Sequence, residues 1–186
     1  MLAFPWNPFP ILQTARLVLK EIGLADLGEI FELRSDPRVM QYIPRPLAGS
    51  LQDAKIFIEA IQASQTNQEA INWGIFQTED TGLVGTICLW NISGLNARAE
   101  LGYLLKPTLH GKGLMQEAVT RVIEFGFYAM NLHSIEAQVA PENYTSIRLL
   151  ERTGFQREAY FRENFYHEGK FQDTEVYTLL TPKKLL

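Results

Sequence analysis

Apolar and polar positions alternate through Leu17 and Leu19 in residues 14–22, and again through Ile71, Trp73 and Ile75. That is the two-residue period of half-buried strands. Residues 83–92 are almost wholly apolar, as a central strand is, and Ser93-Gly94-Leu95-Asn96 turns the chain into a fourth strand at residues 98–105. The period then lengthens. Met115, Ala118, Val119, Val122, Phe125 and Ala129 mark one face of a long helix. A fifth strand follows at residues 134–140, with Ile135, Ala137 and Val139 on one side and Glu136 and Gln138 on the other. Asn143 caps a short helix that runs through Leu150 and stops at Gly154. Residues 155–162 and 171–180 close the chain as a hairpin around Glu168-Gly169.

Two helices come earlier. Asp26-Leu27-Gly28-Glu29 is a variant capping box that turns Leu27, Ile30 and Phe31 inward. Asp36-Pro37 and Pro44 to Pro46 break the pattern, and Ser50 caps a second helix with Ala54, Phe57, Ile58 and Ile61 inward. The order is strand, two helices, three strands, helix, strand, helix, two strands. This predicts an α+β (mixed α/β) domain of about seven strands and about four helices, with a largely antiparallel sheet. Residues 1–13, rich in proline and aromatics, are expected as an extended arm, and residues 14–186 as a single domain.

Composition narrows the function. With 46% hydrophobic and 20% charged residues, the 186-residue chain can bury a core. A net charge of −4 argues against broad nucleic-acid binding and against a polybasic membrane anchor. No apolar run approaches the ~20 residues of a membrane span, and the start of the chain has no basic region of the kind that opens a signal peptide. The expected location is cytoplasmic. The single cysteine, Cys88, lies in an apolar run and reads as a buried, inert thiol. No spacing of metal ligands is present.

The candidate chemistry starts at His110-Gly111-Lys112-Gly113-Leu114-Met115, between the fourth strand and the long helix. Two glycines at such a turn can aim several backbone N–H groups at one anion, and the helix dipole favours negative charge there. The dinucleotide fingerprint fails at Gln116, and a phosphate-binding loop of the Gly-Lys-Ser/Thr kind fails at Gly113. From these six residues alone, a glycine turn used only for its conformation is an equal reading.

A second motif changes that balance. Asn143-Tyr144-Thr145-Ser146-Ile147-Arg148-Leu149-Leu150-Glu151-Arg152-Thr153-Gly154-Phe155 follows after one helix and one strand. Taken together, the two motifs resemble those of the GNAT superfamily of N-acetyltransferases over residues 14–181. Thr14-Ala15-Arg16-Leu17-Val18-Leu19 and Glu100-Leu101-Gly102-Tyr103 are most similar to the RimJ/RimL-type ribosomal-protein N-terminal acetyltransferases. The resemblance implies a sheet splayed between the fourth and fifth strands, and acetyl-coenzyme A as acetyl donor. It places the pyrophosphate on His110, Gly111, Lys112, Gly113, Leu114 and Met115, chiefly through backbone. The pantetheine arm pairs like an added strand with the backbone of Leu104 and Leu105, and the Leu105 N–H polarises the acetyl carbonyl. Asn143 reaches the pantetheine amide, or serves only as a helix cap. The loop departs from the family pattern at His110 and Met115. So does Leu150, where many members carry a tyrosine that protonates the leaving sulfur.

Direct attack of an amine on a thioester requires a neutral amine, a polarised carbonyl and a stabilised sulfur. The usual tyrosine being absent, Ser146, which the resemblance places facing the sulfur, is the first candidate to hydrogen bond it, and Tyr103 is the second. Glu100 is the first candidate base, acting through water, unless Arg98 merely neutralises it. Glu136, Gln138 and His133 are further polar residues near that strand pair. Losing a proton at pH 7 costs an α-amine (pKa ~7.8) about 1 kcal/mol and a lysine about 4.6 kcal/mol. A chain without a strong base therefore fits the α-amine of a protein N-terminus best. Two other readings stay open. One is a small-amine acetyltransferase for polyamines or aminoglycosides, using an acidic pocket from Glu100, Glu136, Glu163, Glu168 and Asp173. The other is a coenzyme A-binding sensor without catalysis. A monomer or homodimer is expected.

Overall fold

Leu17 and Leu19, two residues apart, are both fully buried in β2 (Leu17–Glu21), so the alternation in the sequence is the alternation of the sheet. The structure, a computed structural model, describes residues 2–80, 82–167 and 169–182. These residues form one eight-stranded sheet and five α-helices. The other strands are β1 (Leu12–Gln13), β3 (Ile71–Gln77), β4 (Leu83–Ser93), β5 (Arg98–Leu105), β6 (Ser134–Val139), β7 (Gln156–His167) and β8 (Lys170–Leu180). The helices are α1 (Leu27–Ser35), α2 (Pro37–Met40), α3 (Leu51–Thr66), α4 (Leu114–Tyr128) and α5 (Tyr144–Arg152). The strand order is β1-β2-β3-β4-β5-β6-β8-β7, and every adjacent pair is antiparallel except β5–β6.

The sheet is covered on both faces. Ala118, Val119, Val122 and Phe125 of α4 enter one core with Trp73, Ile87, Leu89, Leu101 and Ile135. The Phe125 ring meets Trp73 edge-on at 5.3 Å. Ile30 and Leu33 of α1 and Ala54 and Ile58 of α3 enter a second core with Ile22, Phe76 and Leu83. Val84 belongs to the first core and its neighbour Leu83 to the second, as consecutive residues of a strand must when each face has its own layer.

Several expectations are corrected. The eighth strand is β1, two residues from the end of the expected arm, which pair with Val18 and Leu19. The rest of the arm packs on the α4 core: Trp73 Nε1 donates to the Pro10 carbonyl at 2.9 Å, and the Ala3 N–H donates to the Met130 carbonyl at 2.8 Å. The fifth helix, α2, starts at the expected break, because Pro37 suits a first helical position and Asp36 accepts the Arg38 N–H. Asp26 does not cap α1; its carboxylate accepts the Gly23 N–H at 2.8 Å, closing a short 3-10 turn. Ser50 does cap α3, accepting the Asp53 N–H at 3.3 Å. Glu168, at the expected hairpin turn, lies outside the described residues.

The parallel pair β5–β6 positions the site. It is joined only at Arg98–Ser134, Ala99–Ile135 and Glu100–Glu136. Beyond that rung β5 stays paired to β4 as far as Gly85–Leu105, and β6 stays paired to β8 as far as Val139–Glu175. Each strand follows its outer neighbour, and the sheet opens between them.

Gly85 sets how closely β4 carries β5 along that opening. A Cβ there would run into the Leu104 carbonyl oxygen and sit 3.2 Å from the Leu105 Cα, and backbone cannot move aside as a side-chain tip can. Gly85→Ala is therefore expected to lower stability by about 1–3 kcal/mol, the usual range for overpacking. Urea denaturation checks this; an unchanged midpoint would mean that β4 and β5 separate freely.

Candidate active site

Backbone direction follows from register. The Lys106 N–H donates to the Val84 carbonyl at 2.9 Å, one step beyond the Gly85–Leu105 rung. In an antiparallel pair, facing and averted residues alternate. Lys106 and Leu104 therefore turn their backbone groups toward β4, while Leu105 and Tyr103 turn theirs into the opening. His110 agrees: its Nε2 lies 3.0 Å from the Leu105 carbonyl oxygen, which only accepts, so Nε2 carries the hydrogen. This revises the expected pair. Leu104 spends its backbone on β4, opposite Thr86, and Tyr103 takes its place beside Leu105.

At the end of β5 the chain makes a short 3-10 turn at Pro107–Leu109 and enters the glycine loop. Gly111 and Gly113 have φ of +74° and +76°, values that only glycine adopts without strain. Gly113 is the N-cap of α4 and offers no side-chain acceptor, so the first N–H groups of the helix, from Leu114 and Met115, point outward unpaired by a cap. Lys112 is exposed beside them. These donors, with the two free N–H groups of β5, fit a pyrophosphate and an extended amide arm.

One support of this loop was not legible as such. Arg16 Nε donates to Glu117 Oε1 at 2.6 Å, and Thr14 Oγ1 donates to Glu117 Oε2 at 2.9 Å. Both ends of the Thr14-Ala15-Arg16 segment thus hold the first turn of α4, and the guanidinium lies against Gly113. The motif was visible, but the partner a hundred residues away was not.

On the α4–α5 side of the opening, the Tyr103 hydroxyl and Ser146 Oγ are 2.6 Å apart. Asn143 Oδ1 accepts the Ser146 N–H at 3.2 Å, which caps α5 and fixes the start of that helix. Burial pushes the Tyr103 hydroxyl up to about 12, with the Ser146 hydrogen bond pulling the other way, so it stays a proton donor. Leu150, where the resemblance leads one to expect a tyrosine, is fully buried in the core one helical turn beyond Ser146. Tyr103 reaches Ser146 from the strand, the two sequence candidates forming one unit.

Glu100 lies on the opposite face. Its rung continues across four strands as Trp90, Glu100, Glu136 and Thr178. Glu100 is only 6% exposed. Burial lifts its carboxyl to about 7, against the hydrogen bond from the Asn91 side chain and the charge of Arg98. Arg98 makes its ion pair with Glu136, so it does not simply neutralise Glu100. Cys88, on the same face, is held up at about 12 by burial, with the Glu100 charge adding to it. Gln138 and His133 are exposed.

The expected acidic pocket does not assemble. Asp173 is five residues before Thr178, about 17 Å along β8 at the usual rise, and an odd number of residues away, hence on the other face. Glu163 goes with it, its N–H donating to Asp173 Oδ1 at 2.8 Å. Glu168 lies outside the described residues. Among the described residues the rest thus split into two separate pairs, Glu163 with Asp173 and Glu100 with Glu136. Among the described residues no group of His, Cys, Asp and Glu comes together that could hold a metal ion, and no helix is long and apolar enough to cross a membrane.

The arrangement is therefore an opening with free N–H groups on one wall, a hydroxyl pair on one face and a buried carboxyl on the other. Comparison with known proteins identifies the family. Residues 16–156 match the family model described as an acetyltransferase (GNAT) domain. The uncharacterized N-acetyltransferase YoaA of Bacillus subtilis is 34% identical over 95% of this chain and 99% of its own. The [ribosomal protein uS5]-alanine N-acetyltransferase of Escherichia coli is 32% identical over 61% of this chain and 59% of its own. The spermidine N(1)-acetyltransferase of Vibrio cholerae is 26% identical over 92% and 96%. The chain belongs to the GNAT family, and it is an N-acetyltransferase that uses acetyl-coenzyme A as its donor.

Proposed function

We propose that this enzyme acetylates the α-amine of a protein or peptide N-terminus. The observation that carries the reading is Glu100: a buried carboxyl held at about 7, at the closed end of the opening and across the sheet from Tyr103 and Ser146. A base of that strength is matched to an α-amine (pKa ~7.8) and poorly matched to a lysine or polyamine (~10.4). The similarity to the uS5-alanine enzyme supports the same acceptor. The similarity to the spermidine enzyme favours a polyamine, but that acceptor needs several convergent carboxylates. Here two are adjacent, and Glu136 is already paired with Arg98.

The donor, held in the opening, supplies an acetyl thioester. The backbone of residues 111–115 holds the pyrophosphate, the N–H groups of Tyr103 and Leu105 hold the arm, and the Leu105 N–H polarises the acetyl carbonyl. Asn143 stays the cap of α5 and keeps Ser146 in place. Glu100 takes the amine proton through water as the new C–N bond forms. The Tyr103–Ser146 pair gives a proton to the sulfur as the C–S bond breaks.

Three outcomes follow from these roles. A Cβ at Gly111 would touch nothing within 4 Å, so Gly111→Val changes only the conformation of the loop. A left-handed β-branched residue costs about 1–2 kcal/mol, so the Kd for acetyl-coenzyme A measured by calorimetry should weaken about tenfold. An unchanged Kd would remove the pyrophosphate from this loop.

Ser146→Ala and Tyr103→Phe should each lower kcat and kcat/KM together, by about 10²-fold, because both act on the departing sulfur. The double variant should lose little more than either one, since the hydroxyls work as a unit. Additive losses would separate their roles.

Glu100→Gln should lower the rate on an N-terminal peptide by about 10²–10⁴-fold and abolish the rise in rate through pH 7, leaving the ionisation of the amine itself. It should also stabilise the fold at pH 8 but not at pH 4. A carboxyl raised from 4.5 to about 7 keeps its proton in the folded state over that interval while the unfolded chain loses it. Stability therefore falls as pH rises across the interval, and glutamine removes the loss. A wild-type pH profile in the variant would clear Glu100 of the proton transfer.

A further inference from the structure

Strands β4 and β5 run in regular register from Gly85–Leu105 to Trp90–Glu100, and then the register breaks. The next pair is Ser93–Arg98. Between these rungs β4 spends Asn91 and Ile92 where β5 has only Ala99, which is a β-bulge beside the candidate base. The backbone shows the insertion. Asn91 has φ of +50°, in the left-handed region, and the Ile92 N–H leaves the ladder to donate to the Glu69 carbonyl at 3.3 Å. Plain alternation would send Asn91 to the α4 face with Leu89, away from Glu100. Instead its side-chain amide comes close enough to the Glu100 carboxyl to favour the ionised form, against the burial that raises it. Bulges commonly re-aim a side chain next to an active site.

We propose that Asn91 is the positioning residue of Glu100: the bulge turns its side-chain amide back across the sheet, and that amide fixes the carboxylate at the closed end of the opening. The inference rests on Glu100 as the proton acceptor for its catalytic meaning, but the bulge that turns Asn91 stands on its own geometry. The other groups facing Glu100 do not supply this donor. Arg98, on its own strand, is engaged by Glu136 from β6. Cys88 from β4 keeps its proton and offers at best a weak donor. A neutral amide orients a carboxylate without holding it permanently ionised, so Glu100 can still cycle its proton.

Two variants test it. Asn91→Gly keeps the left-handed backbone without strain and removes the amide. Asn91→Asp keeps the shape and replaces the donor by a second carboxylate. The readouts are the titration of Glu100 followed by carboxyl ¹³C NMR, and the pH profile of kcat/KM on an N-terminal peptide. With the amide gone, the midpoint of Glu100 should move up by about one pH unit in the glycine variant and further in the aspartate variant, the size of a lost hydrogen bond to a charged group. The acid limb of kcat/KM should move with it, giving about a tenfold loss below the midpoint and little loss above pH ~9, while KM for acetyl-coenzyme A stays put. A Glu100 midpoint unmoved in both variants overturns the inference. A midpoint that moves while the acid limb does not would uphold Asn91 and overturn Glu100 as the base.

Discussion

The site depends on a division of loyalty between two strands. Strands β5 and β6 pair in parallel for three rungs and then part, because β5 remains bonded to β4 through Leu105 and β6 remains bonded to β8 through Val139. Backbone groups buried without partners are costly, yet here Tyr103 and Leu105 direct theirs into an opening. A sheet tolerates that where an extended ligand completes the ladder. The opening is thus a strand position, and a donor with amides along its arm is the guest that its edge demands.

The same split sorts the chemistry by face. Odd residues of β5 point toward α4 and α5, so Tyr103 meets Ser146 there, where burial keeps the phenol protonated. Even residues point the other way, so Glu100 sits with Glu136, where burial raises a carboxyl toward neutrality. One strand therefore presents a phenol and a buried carboxyl on opposite sides, three residues apart. Burial produces both shifts, and both suit the proposed roles, a phenol that donates a proton and a carboxyl that accepts one. The supports are remote in sequence. Thr14 and Arg16 hold the first turn of α4 through Glu117, so the loop of Gly111 and Gly113 is braced by the start of β2.

What was legible in the sequence follows from how local the cause is. The glycine loop, the Ser50 cap, the core faces of α3 and α4 and the alternation of β2, β3 and β6 rest on spacing within a few residues. They were readable, as was the order of the main elements. Most of the corrected expectations rest on distant partners. Whether Leu104 or Tyr103 offers its backbone depends on the register with β4, some twenty residues away. The Tyr103–Ser146 contact crosses from strand to helix. Asp26 reads as the cap of α1, but the Gly23 N–H is the nearer donor once the 3-10 turn forms. β1 is only two residues long, too short to show a period. An acidic pocket requires side chains to converge, and parity along β8 places Asp173 on the wrong face.

The central claim is that the free edge of β5 is the site of an added strand. Amide hydrogen exchange, residue by residue and with and without acetyl-coenzyme A, tests it most directly. The N–H groups of Tyr103 and Leu105 should exchange quickly in the free enzyme and slow markedly when the donor binds. The N–H of Leu104, bonded to β4 throughout, should be slow in both states. Protection of Leu104 alone, or no change at Tyr103 and Leu105 on binding, would contradict the account.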